Sequence, residues 1–370
     1  MSHFISLKVL LITLFLLLNT AAGADPYNSY LWNRDNVIAK NGEVDRGNWY
    51  EWWFYKVVDP VSDNAFLFTY GIVNPWDLKQ ERPASRAFLQ FGESKARFFT
   101  QKNFPVANFQ ASYERTEVRI ADNHATDKQI TGAITDELGR QISWDLKIKH
   151  EWHFNAMGWT MSAPIASGIY WYPAQASARM NGWIRIDDRI IAIKNAPAYQ
   201  DRNWGRSFPK WWTWITSNHF AKSPGTVLAV GGGEPKILGT YILQGLCIGL
   251  RHAGKEYAFR TTDLLNWVDF EISWGKWEVV AQNSKNERIE ISAYAPPEKF
   301  MDLQFQTPEG PVFHDYEALL GSLTVRLYRW STLEGRWNLV TNLKSNYAGI
   351  EWGSPTPLET LPNFRFISPR

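Results

Sequence analysis

Between Ile142 and Glu151 the chain alternates Ile, Trp, Leu, Ile and His with Ser, Asp, Lys, Lys and Glu, the period-2 pattern of a strand with one apolar face. Shorter runs of the same kind occupy Glu117–Ile120, Ile289–Ala293 and Leu323–Leu327. Turn-forming pairs and triplets separate such runs: Asn41-Gly42, Asp63-Asn64, Leu138-Gly139-Arg140, Asp187-Asp188, Ala253-Gly254, Ser284-Lys285-Asn286 and Glu334-Gly335. They predict antiparallel hairpins. After the first 24 residues no apolar period of 3.6 is sustained for two turns, which argues against a helical bundle or a βαβ fold. The prediction is an all-β chain of about 15 to 18 strands, too many for one small sheet. Two lipocalin-like antiparallel β-barrels packed together fit the length. Lys222-Ser223-Pro224-Gly225 divides them into residues 25–222 and 223–370, with Met180-Asn181-Gly182 as the alternative boundary.

The first 24 residues read differently. Lys8 precedes an apolar run from Val9 to Leu18, followed by Ala22-Gly23-Ala24. This is the layout of a secretory signal peptide cleaved after Ala24, with an uncleaved anchor as the competing reading. The run is about half of the roughly 20 residues a spanning helix needs, and no later stretch approaches that length. A soluble periplasmic or extracellular product is expected, with at most transient membrane contact.

Composition narrows the function. The 39 Lys and Arg against 37 Asp and Glu leave a formal charge of +2, too little to hold nucleic acid by electrostatics. The single cysteine, Cys247, allows neither an intrachain disulfide nor a cysteine zinc cage. The 20 Trp, 15 Tyr and 21 Phe of this 370-residue chain imply either an unusually aromatic core or a large apolar ligand. Nothing in the sequence calls for a metal or an organic cofactor, and the oligomeric state is left open.

Three segments could carry chemistry. In Asn48-Trp49-Tyr50-Glu51-Trp52-Trp53-Phe54-Tyr55, alternation puts Glu51 on one face with Trp49, Trp53 and Tyr55. If that face is buried, desolvation raises the Glu51 pKa unless a buried cation pairs with it; the alternative is a solvent-facing Glu51. In the second segment, Tyr199 to Ile215, Tyr199 and Asp201 would share a face if extended, with Asn203, Trp204, Trp211, Trp212 and Trp214 following closely in sequence. Asp201 could instead pair with Arg202 or cap a local turn. The third segment, Ser345 to Gly353, sets Glu351 beside Trp352 and reads as a closing strand. Other motifs carry less. His150 and His153 would face opposite sides of a strand, so metal binding is not expected there. Gly231-Gly232-Gly233 reads as a turn, because the phosphate-loop Lys-Ser/Thr does not follow. Asp187-Asp188 reads as a hairpin tip.

Taken in order, Glu-Trp-Trp-Phe-Tyr at 51–55, Tyr-x-Asp-x-Asn-Trp-Gly-x-x-Phe-Pro-x-x-Trp-x-Trp at 199–214 and Gly-Ile-Glu-Trp-Gly at 349–353 resemble the tocopherol cyclase family. More distantly they resemble the acyclic-carotenoid hydratases of the same lipocalin-like superfamily. The resemblance implies a two-barrel protein that adds a proton to a carbon-carbon double bond of a prenylated quinol or polyene. The Tyr-x-Asp pair that the hydratases link to this step falls on Tyr199 and Asp201. The cyclases tend to carry Glu at that position, and the His-Trp pair of the hydratases is replaced here by Tyr170-Trp171-Tyr172.

An alkene is a very weak base, so its proton donor must be a carboxyl kept neutral by apolar surroundings. Asp201 is the expected acid, with Tyr199, Asn203 and Glu51 as further catalytic candidates. Trp49, Trp53, Trp171, Tyr172, Trp204, Trp211, Trp212 and Trp214 are the expected rings against the ligand and its cation. Two functions remain in view: a cofactor-independent cyclase or hydratase, and a carrier of an apolar isoprenoid or lipid in which Asp201 is structural.

Overall fold

A computed structural model describes residues 47–358 and 365–368, apart from 113–114, 163–166, 238 and 242–243. The expected signal segment and the Asn41-Gly42 turn lie outside the described residues. Among the described residues the chain is built from antiparallel strands and three short 3-10 turns, with no α-helix. The described residues hold 25 strands, more than the sequence pattern counts, because several are only two or three residues long and too short to show a period.

Eleven strands between residues 50 and 205 form one sheet. Its middle is long range: Tyr50–Asp59 lies between Asn64–Val73 and Arg189–Gly205, which pairs in turn with Ile169–Ile186 and so with Gln141–Trp152. The alternation read at 142–151 is realised here, with Ile142, Trp144, Leu146 and Ile148 buried on one side. Asp187-Asp188 is the tip of the hairpin that Ile169–Ile186 makes with Arg189–Gly205. The sheet curls around an aromatic core that includes Trp53, Tyr55, Phe68, Tyr70 and Trp144, and its two ends approach each other.

The chain then crosses, through residues 206–211, into a second sheet of twelve strands. Residues 222 and 223 lie in the turn between Trp212–Ser217 and Val227–Gly233, within this second sheet. Its axis is the hairpin of Val312–Ser331 and Arg336–Ser354, flanked by Trp212–Ser217 and by Glu287–Tyr294. It too wraps its own core, around Trp211, Trp277, Phe270, Phe259 and Trp352. Burying the bare edges of so many strands by curling each sheet on itself removes the templates for strand addition.

Two sequence readings change. Gly231-Gly232-Gly233 is not a turn but the end of the Val227–Gly233 strand. His153 follows the end of the Gln141–Trp152 strand, so its ring is freed from alternation and stacks near that of His150, centroids 5.9 Å apart. No group of three or more His, Cys, Asp or Glu placed to hold a metal occurs among the described residues.

Candidate functional site

The outer faces of the two curled sheets pack against each other, and register decides what meets there. Antiparallel partners share a face, so the pairs Trp52↔Asn203, Phe54↔Asp201 and Lys56↔Tyr199 put six side chains on the same side of the first sheet. Trp171, opposite Asn203 on the next strand, joins them. On the second sheet one row runs Gly231, Trp214, Glu351, Glu317 and the next Gly233, Trp212, Gly353, Asp315. Between the two faces lies a cavity of about 170 Å³, walled by Trp52, Phe54, Trp171, Trp212, Trp214 and Phe305. Glycines make the room. A side chain on Gly231 would meet the Trp171 ring at 2.7 Å, and one on Gly349 would meet the Trp214 ring at 2.3 Å.

Asp201 opens onto this cavity and is only 4% exposed. Its Oδ2 accepts from Trp171 Nε1 at 2.8 Å and from Tyr199 Oη at 2.8 Å, and its Oδ1 accepts from Asn203 Nδ2 at 3.3 Å. Tyr199 Oη in turn accepts from Trp214 Nε1 at 3.0 Å. Every donor is neutral. Burial pushes the Asp201 pKa up to about 7, against the pull of the Trp171 and Tyr199 hydrogen bonds. The group thus keeps its proton up to about pH 7, with donors in place to stabilise the carboxylate left once the proton has gone. Tyr199→Phe removes one of those donors, so we expect the alkaline limb of the activity profile, set near pH 7 by loss of the Asp201 proton, to move to higher pH. A pH series of initial rates reads that shift; a limb moved to lower pH would contradict the assignment.

The expected ring and acid residues divide between places. Asp201, Asn203, Trp171, Trp212 and Trp214 line the cavity, and Tyr199 stands behind Asp201. Glu51 is buried on the other side of its strand, where its Oε1 accepts from Arg202 Nε at 2.7 Å. Burial raises the Glu51 pKa to about 7 against the attraction of that guanidinium. Neither the solvent-facing Glu51 nor the Asp201–Arg202 pairing is found, because Arg202 alternates away from Asp201. Trp53 lies in the first sheet's core and Trp211 in the second's, stacked on Trp352 at 5.3 Å. Trp49, Tyr172 and Trp204 pack in a separate cluster with Tyr170 and Met161.

Four carboxyl groups line the cavity in all, and sequence reasoning singled out only one as an acid. Asp315, Glu317 and Glu351 complete the set. Asp315 Oδ1 accepts from Trp212 Nε1 at 3.0 Å, and Asp315 and Glu351 are hydrogen-bonded to each other. Burial and mutual repulsion raise all three, Asp315 to about 7. Lys56 is buried against the same cluster, where desolvation lowers its pKa to about 7 while Glu317 pulls it back up. Its Nζ donates to the Tyr347 carbonyl at 3.3 Å. The available signal was the period-2 spacing of Asp315 and Glu317, which puts both on one face.

Comparison with known proteins follows this geometry. The family described as tocopherol cyclase-like matches residues 121–354. The chain is similar to a probable chloroplastic tocopherol cyclase of Oryza sativa subsp. japonica, 31% identical over 53% of this chain and 42% of that protein. It is similar also to the chloroplastic tocopherol cyclase of Zea mays, 26% identical over 82% of this chain and 74% of that one. The aligned stretch therefore spans less than half of the rice relative. The crystal structure of CghA shares the fold, with a TM-score of 0.51 at 12% identity over 90% of this chain and 94% of that one.

Proposed function

Because the chain belongs to the tocopherol cyclase-like family, we propose that it catalyses acid-initiated addition to a carbon-carbon double bond, closing a prenylated quinol into a ring or hydrating a polyene. The observation that carries this reading is Asp201: a carboxyl that is buried, bonded only by neutral donors and open to an aromatic cavity. Its O–H bond breaks as a C–H bond forms on the alkene, and the cation is left at the more substituted carbon. Faces of Trp171, Trp212 and Trp214 are available to that cation, each contributing about 1–2 kcal/mol where water is excluded. A hydroxyl of the same substrate held nearby outcompetes water through its effective concentration, which favours ring closure in a dry site. The proton lost by the attacking oxygen balances the one given to carbon, so the reaction consumes no cofactor.

A carrier of an apolar isoprenoid is the second reading, supported by the largely aromatic wall of the cavity. Incubating the protein with a prenylated quinol in deuterated water separates the two. The enzyme yields product carrying one deuterium on the carbon beside the new oxygen-bearing centre, whereas a carrier returns the ligand unlabelled. No label across a panel of prenylated quinols and polyenes would overturn the catalytic reading.

A further inference from the structure

We propose that Glu317 binds a ring hydroxyl of the ligand, making the second-sheet wall of the cavity the polar pole that faces the acid on the first. The inference rests on the reading of the cavity as a site for a prenylated aromatic. Glu317 is 1% exposed and lines the cavity. Its register partner is Glu351, and Asp315 lies two residues before it on the same face. Those two neighbours satisfy each other, and Trp212 adds its N–H to Asp315. Glu317 has no such arrangement: among the described residues neither of its carboxyl oxygens has a hydrogen-bond partner. Lys56 attracts it at longer range, while its Nζ donates to the Tyr347 carbonyl and not to Glu317.

A buried carboxyl with two unpaired oxygens is costly to maintain unless a ligand completes it. The chemistry of the surroundings selects the ligand group. An anion would meet the four carboxyls that share this cavity, and a cationic amine would meet the ammonium of Lys56 that already flanks Glu317. A hydroxyl both donates and accepts, so it suits Glu317 as acid or as carboxylate. The neighbouring wall is flat and aromatic, with Trp212 stacked on Phe313 at 4.2 Å and near Phe305, which favours a hydroxyl carried on a ring. Bound this way, a ring oxygen is fixed at Glu317 while the prenyl chain runs across the cavity to Asp201.

The test uses ligands that cannot react. A hydroquinone bearing a fully saturated isoprenoid chain is compared with the same molecule in which hydrogen replaces both hydroxyls, by titrating tryptophan fluorescence of the full chain. Wild type is expected to prefer the hydroquinone by at least about tenfold. Glu317→Leu should reduce that preference to below about twofold while leaving affinity for the hydroxyl-free ligand unchanged. Equal binding of both ligands by wild type overturns the proposal, as does an undiminished preference in Glu317→Leu. Tighter binding of the matching amine, in which NH₂ replaces each hydroxyl, overturns it too. If Glu317→Leu does not fold, Glu317→Met takes its place, with the same loss of preference expected. Since no step here is catalytic, a hydroxyl preference that persists when the deuterium experiment fails would remove the proposed reaction and leave Glu317 as the binding residue; labelling without a preference would do the reverse.

Discussion

Asp201→Asn is expected to abolish turnover, with a loss of about 10²–10⁴-fold or more in kcat, the range over which a positioned general acid acts. Asn keeps the shape of the side chain and its place beside Trp171, Tyr199 and Asn203 but has no proton acidic enough for an alkene. Stability should move the opposite way. The carboxyl titrates at about 7 in the folded chain against 3.8 for the ordinary group, so the native state holds a proton that the unfolded state has released. Wild type therefore loses stability as pH rises from about 4 to about 7, by on the order of 4 kcal/mol at about 1.4 kcal/mol per unit. The Asn variant does not titrate, so the difference in unfolding free energy should shift in its favour across that window and level off above it. Urea denaturation of both proteins at pH 5 and pH 8 measures this. A gap that is flat with pH would mean that the native carboxyl is already ionised, and the acid assignment would fall with it.

Arg202→Met is expected to destabilise the fold by up to about 3–5 kcal/mol, the cost of leaving one member of a buried ion pair without its partner. The loss should be least below about pH 7, where Glu51, already raised to about 7 by burial, takes up a proton instead. Arg202 and Glu51 are 2% and 0% exposed and sit 151 residues apart in sequence, so their bond joins two strands that only the folded state brings together. The guanidinium also lies over the Trp204 ring at 4.0 Å. Removing both charges, as Arg202→Met with Glu51→Leu, should recover much of the loss, because two apolar groups need no compensation there. Chemical denaturation of the single and double variants gives the comparison. A double variant as unstable as the single one would show that the packing of Arg202 on Trp204, rather than the orphaned carboxylate, sets the cost.

Much of this was legible in the chain. Alternation at 142–151 found a real strand, and the Tyr199-x-Asp201 spacing put a phenol and a carboxyl on one face, where the structure has them. Alternation also grouped Glu51 with Trp49 and Trp53 correctly. What it does not say is which face of a strand meets the other sheet. Nearly every residue of Tyr50–Asp59 is buried, so both faces look equally like a site; the cavity belongs to Trp52 and Phe54, and Glu51 points into the first sheet. Asp315, Glu317 and Lys56 were missed for a related reason. Lys56 sits in the strand buried on both faces, and Asp315 and Glu317 show only that they share a face; what makes the three unusual is the packing of one sheet on the other, which their own segments do not reveal.

The pairing of Tyr50–Asp59 with Arg189–Gly205 has a consequence for the order of events during synthesis. A ribosome must deliver about 130 further residues after the first of these strands before its neighbour begins to emerge, and closing so large a loop is slow. Asp201 arrives with the second of these strands, and until the second sheet, whose long hairpin ends with Arg336–Ser354, packs over it, it sits in water as an everyday carboxylate. On the proposed reading, its acidity toward an alkene is acquired only once that packing shuts out the solvent.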